Sequence, residues 1–184
     1  MHRLLVRWHM LVAAFLFPGI LLFLITGALY TWGSKGDYVT KDYEVALTAP
    51  LTNDKDALQA VVTRELASRG IAVPTGYPSV REVGGSFQFD WSGSNRDVSL
   101  SPGDDATHAK LTVKDTDWHR YFVQLHKAKG GTAFKIYAAI VALGLFFLVT
   151  SGLIVALRVP NLRRGAIIGS AVGLGAFVAI AATS

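Results

Sequence analysis

Residues 136–157 read IYAAIVALGLFFLVTSGLIVAL, without one Asp, Glu, Lys or Arg. A helix rises about 1.5 Å per residue and a bilayer core is about 30 Å thick, so this stretch is long enough to cross it. Two further stretches share the pattern. No charge occurs from Trp8 to Ser34, or from Gly165 to Ser184. Working outward, the reading is three transmembrane helices over 10–32, 136–157 and 165–182. The third is shorter and rich in Gly and Ala, and a Gly-rich tail on the membrane surface is its alternative. Gly165, Gly169 and Gly173 recur at every fourth position, which gives a helix one flat face for close approach of another helix.

The charges sort by segment. All 13 acids lie between Asp37 and Asp117, and 13 of the 18 bases lie between Lys35 and Lys135. The net charge of +5 is therefore carried by Arg3, Arg7, Arg158, Arg163 and Arg164 at the ends of the apolar stretches. A nucleic-acid partner would call for a basic patch on a folded surface, and none is indicated. Short Arg-bearing segments stay in the cytoplasm. That rule places residues 1–9 and a loop over 158–164 inside, and the intervening domain outside. Lys127, Lys129 and Lys135 run against the rule, but they flank a long translocated region where it weakens. The first apolar stretch exceeds a signal-peptide core of about 7–15 residues and lacks a clean A-x-A site, so it reads as an uncleaved anchor.

Residues 33–115 carry nearly all the turn chemistry. Leu51 to Gly70 reads as a helix capped by Asn53, with Leu58, Val61, Val62 and Leu66 as its apolar stripe and Gly70 as its stop. Strands follow over Pro78 to Val83, Ser86 to Trp91, Arg96 to Ser101 and His108 to Lys114. Gly84-Gly85 marks a hairpin, and Phe87, Phe89 and Trp91 share one strand face. One helix on a small antiparallel sheet is an α+β unit. Residues 116–131 form an amphipathic helix. It places Trp118, Tyr121, Phe122 and Leu125 on one face for the membrane interface, His119 and His126 on another, and a hinge at Gly130-Gly131. There is no cysteine, which removes disulfides, thiolate metal sites and Cys-attached haem.

The order of short motifs resembles the PepSY-associated transmembrane (PepSY-TM) family. The residues are Arg7-Trp8-His9, Gly19 and Thr26-Gly27 in the first span, the Ser101-Pro-Gly turn, Leu125-His126-Lys127, Thr150-Ser151-Gly152 and Leu157-Arg158. The resemblance implies an inner-membrane protein whose PepSY-like domain lies on the periplasmic side. Some larger relatives have four spans, bind b-type haem through membrane histidines and reduce ferric siderophores, and others are fused to flavin reductase domains. This chain has three spans and no flavoprotein region, and its Gly19 lies farther on and follows Pro18.

On that resemblance the haem-ligand candidates are His9, His126 and His119. A bis-His haem needs two imidazoles at one depth on opposite porphyrin faces. His119 and His126 lie about 10.5 Å apart by helical rise and point the same way. His9 sits at the inner end, and His2 is the only other inner imidazole. No pair is evident in one monomer, and the bland reading is of polar contacts at the membrane edge. Asp104-Asp105 with His108 is a thin metal candidate, since hard cations want more oxygen ligands, and no metal site is expected. No catalytic residues are indicated, and no intramembrane charge marks a transport path. Two functions remain: an accessory or redox-linked component of iron or siderophore uptake, or a non-enzymatic interaction protein whose PepSY domain binds a protein or peptide. Both imply the lipid bilayer and a membrane-protein partner or a homo-oligomer.

Overall fold

The computed structural model describes residues 2–103, 105 and 107–183, with no side-chain placement for His2. Its elements in order are α1 (His2–Thr31), β1 (Tyr38–Ala46), α2 (Lys55–Ser68), β2 (Pro78–Val83), β3 (Ser86–Ser92), β4 (Arg96–Pro102), β5 (His108–Thr116), α3 (Trp118–His126), α4 (Gly131–Arg158) and α5 (Pro160–Thr183). Contacts group these into two compact units, Leu21–Ala138 and Met1–Ile20 with Ala139–Ser184.

The first of these units is α+β. Its sheet has the order β1-β5-β4-β3-β2, with every neighbouring pair antiparallel. Alternation places one row of apolar side chains across it. Val80 pairs with Phe89, Phe89 with Leu100, Leu100 with Leu111, and Leu111 with Tyr43. Helix α2 lays Leu58, Val62 and Leu66 on this face, and all three are fully buried with Phe89, Leu100 and Leu111. Burial of this kind stabilises by about 1.5–3 kcal/mol per large side chain, which is what holds a small sheet together without disulfides. The β2–β3 turn uses Gly84 and Gly85 at φ +58° and +80°, the left-handed pair that a two-residue hairpin needs.

Two local expectations change. Asp54, not Asn53, caps α2, and its carboxylate accepts from the Asp56 and Ala57 amides at 2.8 and 3.3 Å. The helix starts at Lys55, so the capping position falls one residue later. Strand β1 was not visible in the sequence at all. At the C-terminal end of α2, Gly70 does stand at positive φ, and the Gly70 and Ile71 amides donate to the Ala67 and Leu66 carbonyls. This is the Schellman closure, with Ile71 folded onto the core.

The helical unit inverts the usual pattern. Helices α1, α4 and α5 are each long and apolar enough to cross a membrane, and most of their large side chains are exposed. Leu16 of α1 is an exception, buried in a notch at Gly144 of α4. A Cβ at Gly144 would fall 2.1 Å from Leu16 Cδ1, so only glycine leaves room for this knob. The expected loop over 158–164 is not a loop. Val159 alone separates α4 from α5, and its carbonyl accepts from the Leu162 and Arg163 amides. Pro160 at the first helical position explains this, since its fixed φ starts a helix and its missing N–H costs nothing there. No residue of α5 is buried.

Candidate functional site

Two imidazoles meet helical hydroxyls in the same manner. In the helical unit, His9 of α1 bonds through Nδ1 to Ser151 Oγ of α4 at 2.9 Å. In the sheet unit, His126 at the end of α3 bonds through Nδ1 to Thr26 Oγ1 of α1 at 2.9 Å. Each hydroxyl is followed by glycine. A Cβ on Gly27 would come within 3.1 Å of His126 Cε1, and one on Gly152 within 3.5 Å of His9 Cε1. Gly27 thus leaves the His126 ring room that a Cβ would crowd, whereas a Cβ at Gly152 would do no more than touch the His9 ring. Thr26 and Ser151 are buried, and the His126 ring also leans on Phe23 at 5.2 Å.

A hydroxyl has one hydrogen. Thr26 Oγ1 also reaches the Leu22 carbonyl, and Ser151 Oγ the Leu148 carbonyl at 3.2 Å. With the hydroxyl hydrogens on those carbonyls, each oxygen accepts from a ring protonated at Nδ1, and the neutral ring keeps its lone pair at Nε2; with the hydrogens on the rings, Nδ1 accepts instead. Metal-ligating histidines are commonly held in the first of these ways, with the far nitrogen's N–H donated to a fixed acceptor.

A second polar cluster joins α3 to the sheet. Gln124 is fully buried, and its amide donates to Tyr38 Oη at 2.8 Å and to Asp97 Oδ2 at 3.2 Å. Tyr38 donates to Asp97 at 2.6 Å, Lys129 stands 3.6 Å from the same carboxylate, and Arg120 lies over the Tyr38 ring. Burial first, and then the Asp97 carboxylate, push the Tyr38 phenol above its ordinary value. Asp117 caps α3 and also accepts from the Asp37 amide. The Arg120 and Asp37 backbone N–H groups hold its carboxyl below the usual range. The expected hinge at Gly130-Gly131 is a packed turn. Gly131 has φ +78° and sits against the Thr75 carbonyl, while Gly130 is wedged between Leu125 and Phe134. The Thr75 hydroxyl in turn donates to the Lys129 carbonyl.

The remaining sequence candidates are dispersed. His119 stacks near Trp118, and its Nε2 is buried without a hydrogen-bond partner among the described residues. His119 and His126 therefore have different surroundings, although they sit on one helix. Trp118, Tyr121 and Phe122 are exposed, whereas the buried side of α3 is Val123 and Gln124. His108 bonds Asp105, which Thr107 first, and then His108, lowers to about 2. The same pairing raises His108 above its ordinary value. Asp104 lies outside the described residues, and among those described no cluster could hold a metal ion. Gly165, Gly169 and Gly173 have nothing packed against them.

Haem fit can be judged within each unit. His9 has the one described imidazole of the helical unit; in the sheet unit His108 is engaged with Asp105, and His119 and His126 are seven residues apart on α3. Neither unit sets two described imidazoles on opposite faces of one plane, so neither fits a bis-His haem by itself.

The sequence matches the family described as the PepSY-associated TM region over residues 2–159. The chain belongs to this family. It is a multi-pass membrane protein whose PepSY-associated region runs from α1 through the end of α4, and both imidazole–hydroxyl pairs fall inside it. Helix α5 begins immediately beyond the match. Among curated proteins and among solved structures, nothing matches the chain at a significant level. Sequence reasoning had singled out His9, His126, Thr26-Gly27 and Ser151-Gly152 separately. It missed their pairing, and it missed Gln124, Tyr38 and Asp97 entirely, because each partner lies dozens of residues away.

Proposed function

We propose that this chain is an integral protein of a bacterial inner membrane and an accessory or redox-linked component of iron or siderophore uptake. Residues 1–9 lie inside in this reading, and the sheet unit lies in the periplasm, as the Arg-bearing ends of the apolar helices favour. The iron setting comes from the PepSY-TM resemblance. The observation that supports a redox link is the pair of imidazoles each held through Nδ1 by a buried hydroxyl, beside apolar helices. An axial ligand needs its far nitrogen unprotonated, which is the tautomer with the proton on Nδ1. Since neither unit offers two converging imidazoles, a second ligand would come from another protomer or an unusual partner. The test is an absorbance scan of the full chain purified in detergent from haem-replete cells. A Soret band that is lost in His9→Ala or His126→Ala supports the redox link. A spectrum without one removes it.

A second reading is favoured by α5, which has no buried residue. The protein is then a non-enzymatic interaction module, whose sheet unit binds a protein or peptide and whose third helix docks in a larger complex. Gly169→Leu should abolish crosslinking to a membrane partner or a second copy, and unchanged crosslinking counts against this reading.

A further inference from the structure

The helical unit contains a groove of about 840 Å³ between α1 and α4. Its walls include Leu5, Val12 and Phe15 from one helix and Leu143, Ile154 and Arg158 from the other. Arg158 is the only ionisable side chain among the described lining residues. Leu16 meets Gly144 and His9 meets Ser151, so α1 and α4 run antiparallel and Arg158 falls at the end of Leu4 and Leu5. Residues 1–20 and 139–184 contain no Asp or Glu, and no ion pair engages the Arg158 guanidinium among the described residues. A cation closing an apolar groove, in a unit without acids, leaves its counter-anion to be supplied from outside.

The dimensions narrow the occupant. From Leu4 to Leu16 the α1 wall extends about 18 Å by helical rise. One leaflet of a bilayer core is about 15 Å deep. Helix α5 supplies no wall residue. An apolar helix from a partner would cover the groove but leave the guanidinium unpaired, and a free phosphate would pair the guanidinium but leave the groove uncovered. Basic pockets between membrane helices hold anionic head groups, and Trp8, about one turn along the wall from Leu4 and Leu5, suits the interfacial depth.

We propose that this groove is a binding site for one anionic phospholipid, with an acyl chain along the α1–α4 cleft and the phosphate on Arg158. The site depends on the helices lying in a bilayer and is independent of any role in iron uptake. The lipid drawn from the leaflet on the Arg158 side becomes part of the α1–α4 interface, rather than exchanging as bulk solvent.

The test is native mass spectrometry of the delipidated full chain in detergent, titrated with dioleoyl-phosphatidylglycerol, dioleoyl-phosphatidylcholine or inorganic phosphate. Wild type should retain phosphatidylglycerol about fivefold better than phosphatidylcholine, the discrimination that one surface cation gives. Arg158→Gln should erase that preference. Val12→Trp, which fills the groove, should lower retention of both lipids, and Val172→Trp on exposed α5 should change nothing. Phosphate should not displace bound lipid. Equal retention of the two lipids by wild type overturns the proposal, as does an unaffected Arg158→Gln. Lipid exclusion by a dimer that closes the groove also overturns it. Should Val12→Trp fail to fold by circular dichroism, the Arg158→Gln comparison decides alone.

Discussion

Phe89 in the sheet unit is 0% exposed, and Phe146 in the helical unit is 71% exposed. The same side chain is core in one unit and surface in the other. In the sheet unit the buried set is almost all apolar, with Thr26, Ser94 and Gln124 as polar exceptions, and no charged side chain among the described residues is fully buried. In the helical unit the buried positions are few, Leu16, Val141 and Ser151 among them, and most Leu, Ile and Phe side chains face out. Water selects the first arrangement by expelling apolar surface. Lipid gives no such drive between helices, and leaves close packing and hydrogen bonds to hold them. Each unit should therefore fail by a different kind of substitution.

The largest expected effect is in the sheet. Leu111→Ala should lower stability by about 2–5 kcal/mol, while Phe146→Ala should fall within about 0.5 kcal/mol of wild type. Denaturant titration of the full chain in detergent, followed by Trp fluorescence, separates the two. Equal losses would erase the distinction between the units. Next comes the notch. Gly144→Leu should cost about 1–3 kcal/mol through overpacking, and Leu16→Ala in the same chain should restore part of it. A double variant no better than Gly144→Leu would show that Leu16 is not the knob.

Smaller effects come from the paired hydroxyls. Thr26→Val and Ser151→Ala should each cost about 0.6 kcal/mol, the mean for such bonds between membrane helices. The more telling readout is ring nitrogen NMR. In the redox reading His9 and His126 should be protonated at Nδ1 when neutral, and each substitution should release its own ring to the mixed tautomer. The smallest effect is the Asp105–His108 pair. His108 should titrate above an ordinary imidazole, and Asp105→Asn should bring it down. The stabilisation from a raised pKa is complete below the unfolded value and is lost as pH rises through the folded one, so the pair should weaken as pH climbs through the raised His108 value. A His108 that titrates in Asp105→Asn as it does in wild type would rule the pair out.

Legibility followed the range of each interaction. Strand β2 begins and ends where the sequence reading placed it, and Gly84-Gly85 turns as its dipeptide demands, because those signals are local. Strand β1 escaped because its burial pattern is nearly flat, with Val45 as its one buried residue, and because its partner β5 lies about 70 residues on. The loop expected over 158–164 was inferred from Arg density, which reports membrane side and says nothing of helicity, since arginine is a good helix former. His9 and His126 stood out as residues, but their hydroxyl partners are 142 and 100 positions away, beyond any sequence window. The Gly165/Gly169/Gly173 stripe was legible as a pattern, yet it meets no helix of its own chain.

The central proposal is the topology, in which the Arg-bearing helix ends stay inside and the sheet unit is carried outside. The chain has no cysteine of its own, so single probes are clean. Cysteine is placed at exposed Glu82 on β2, or at exposed Asn161 at the start of α5, and intact spheroplasts are treated with a membrane-impermeant maleimide. The account predicts labelling of Glu82→Cys in intact cells and of Asn161→Cys only after lysis. The reverse pattern, or both positions labelled alike in intact cells, would contradict it.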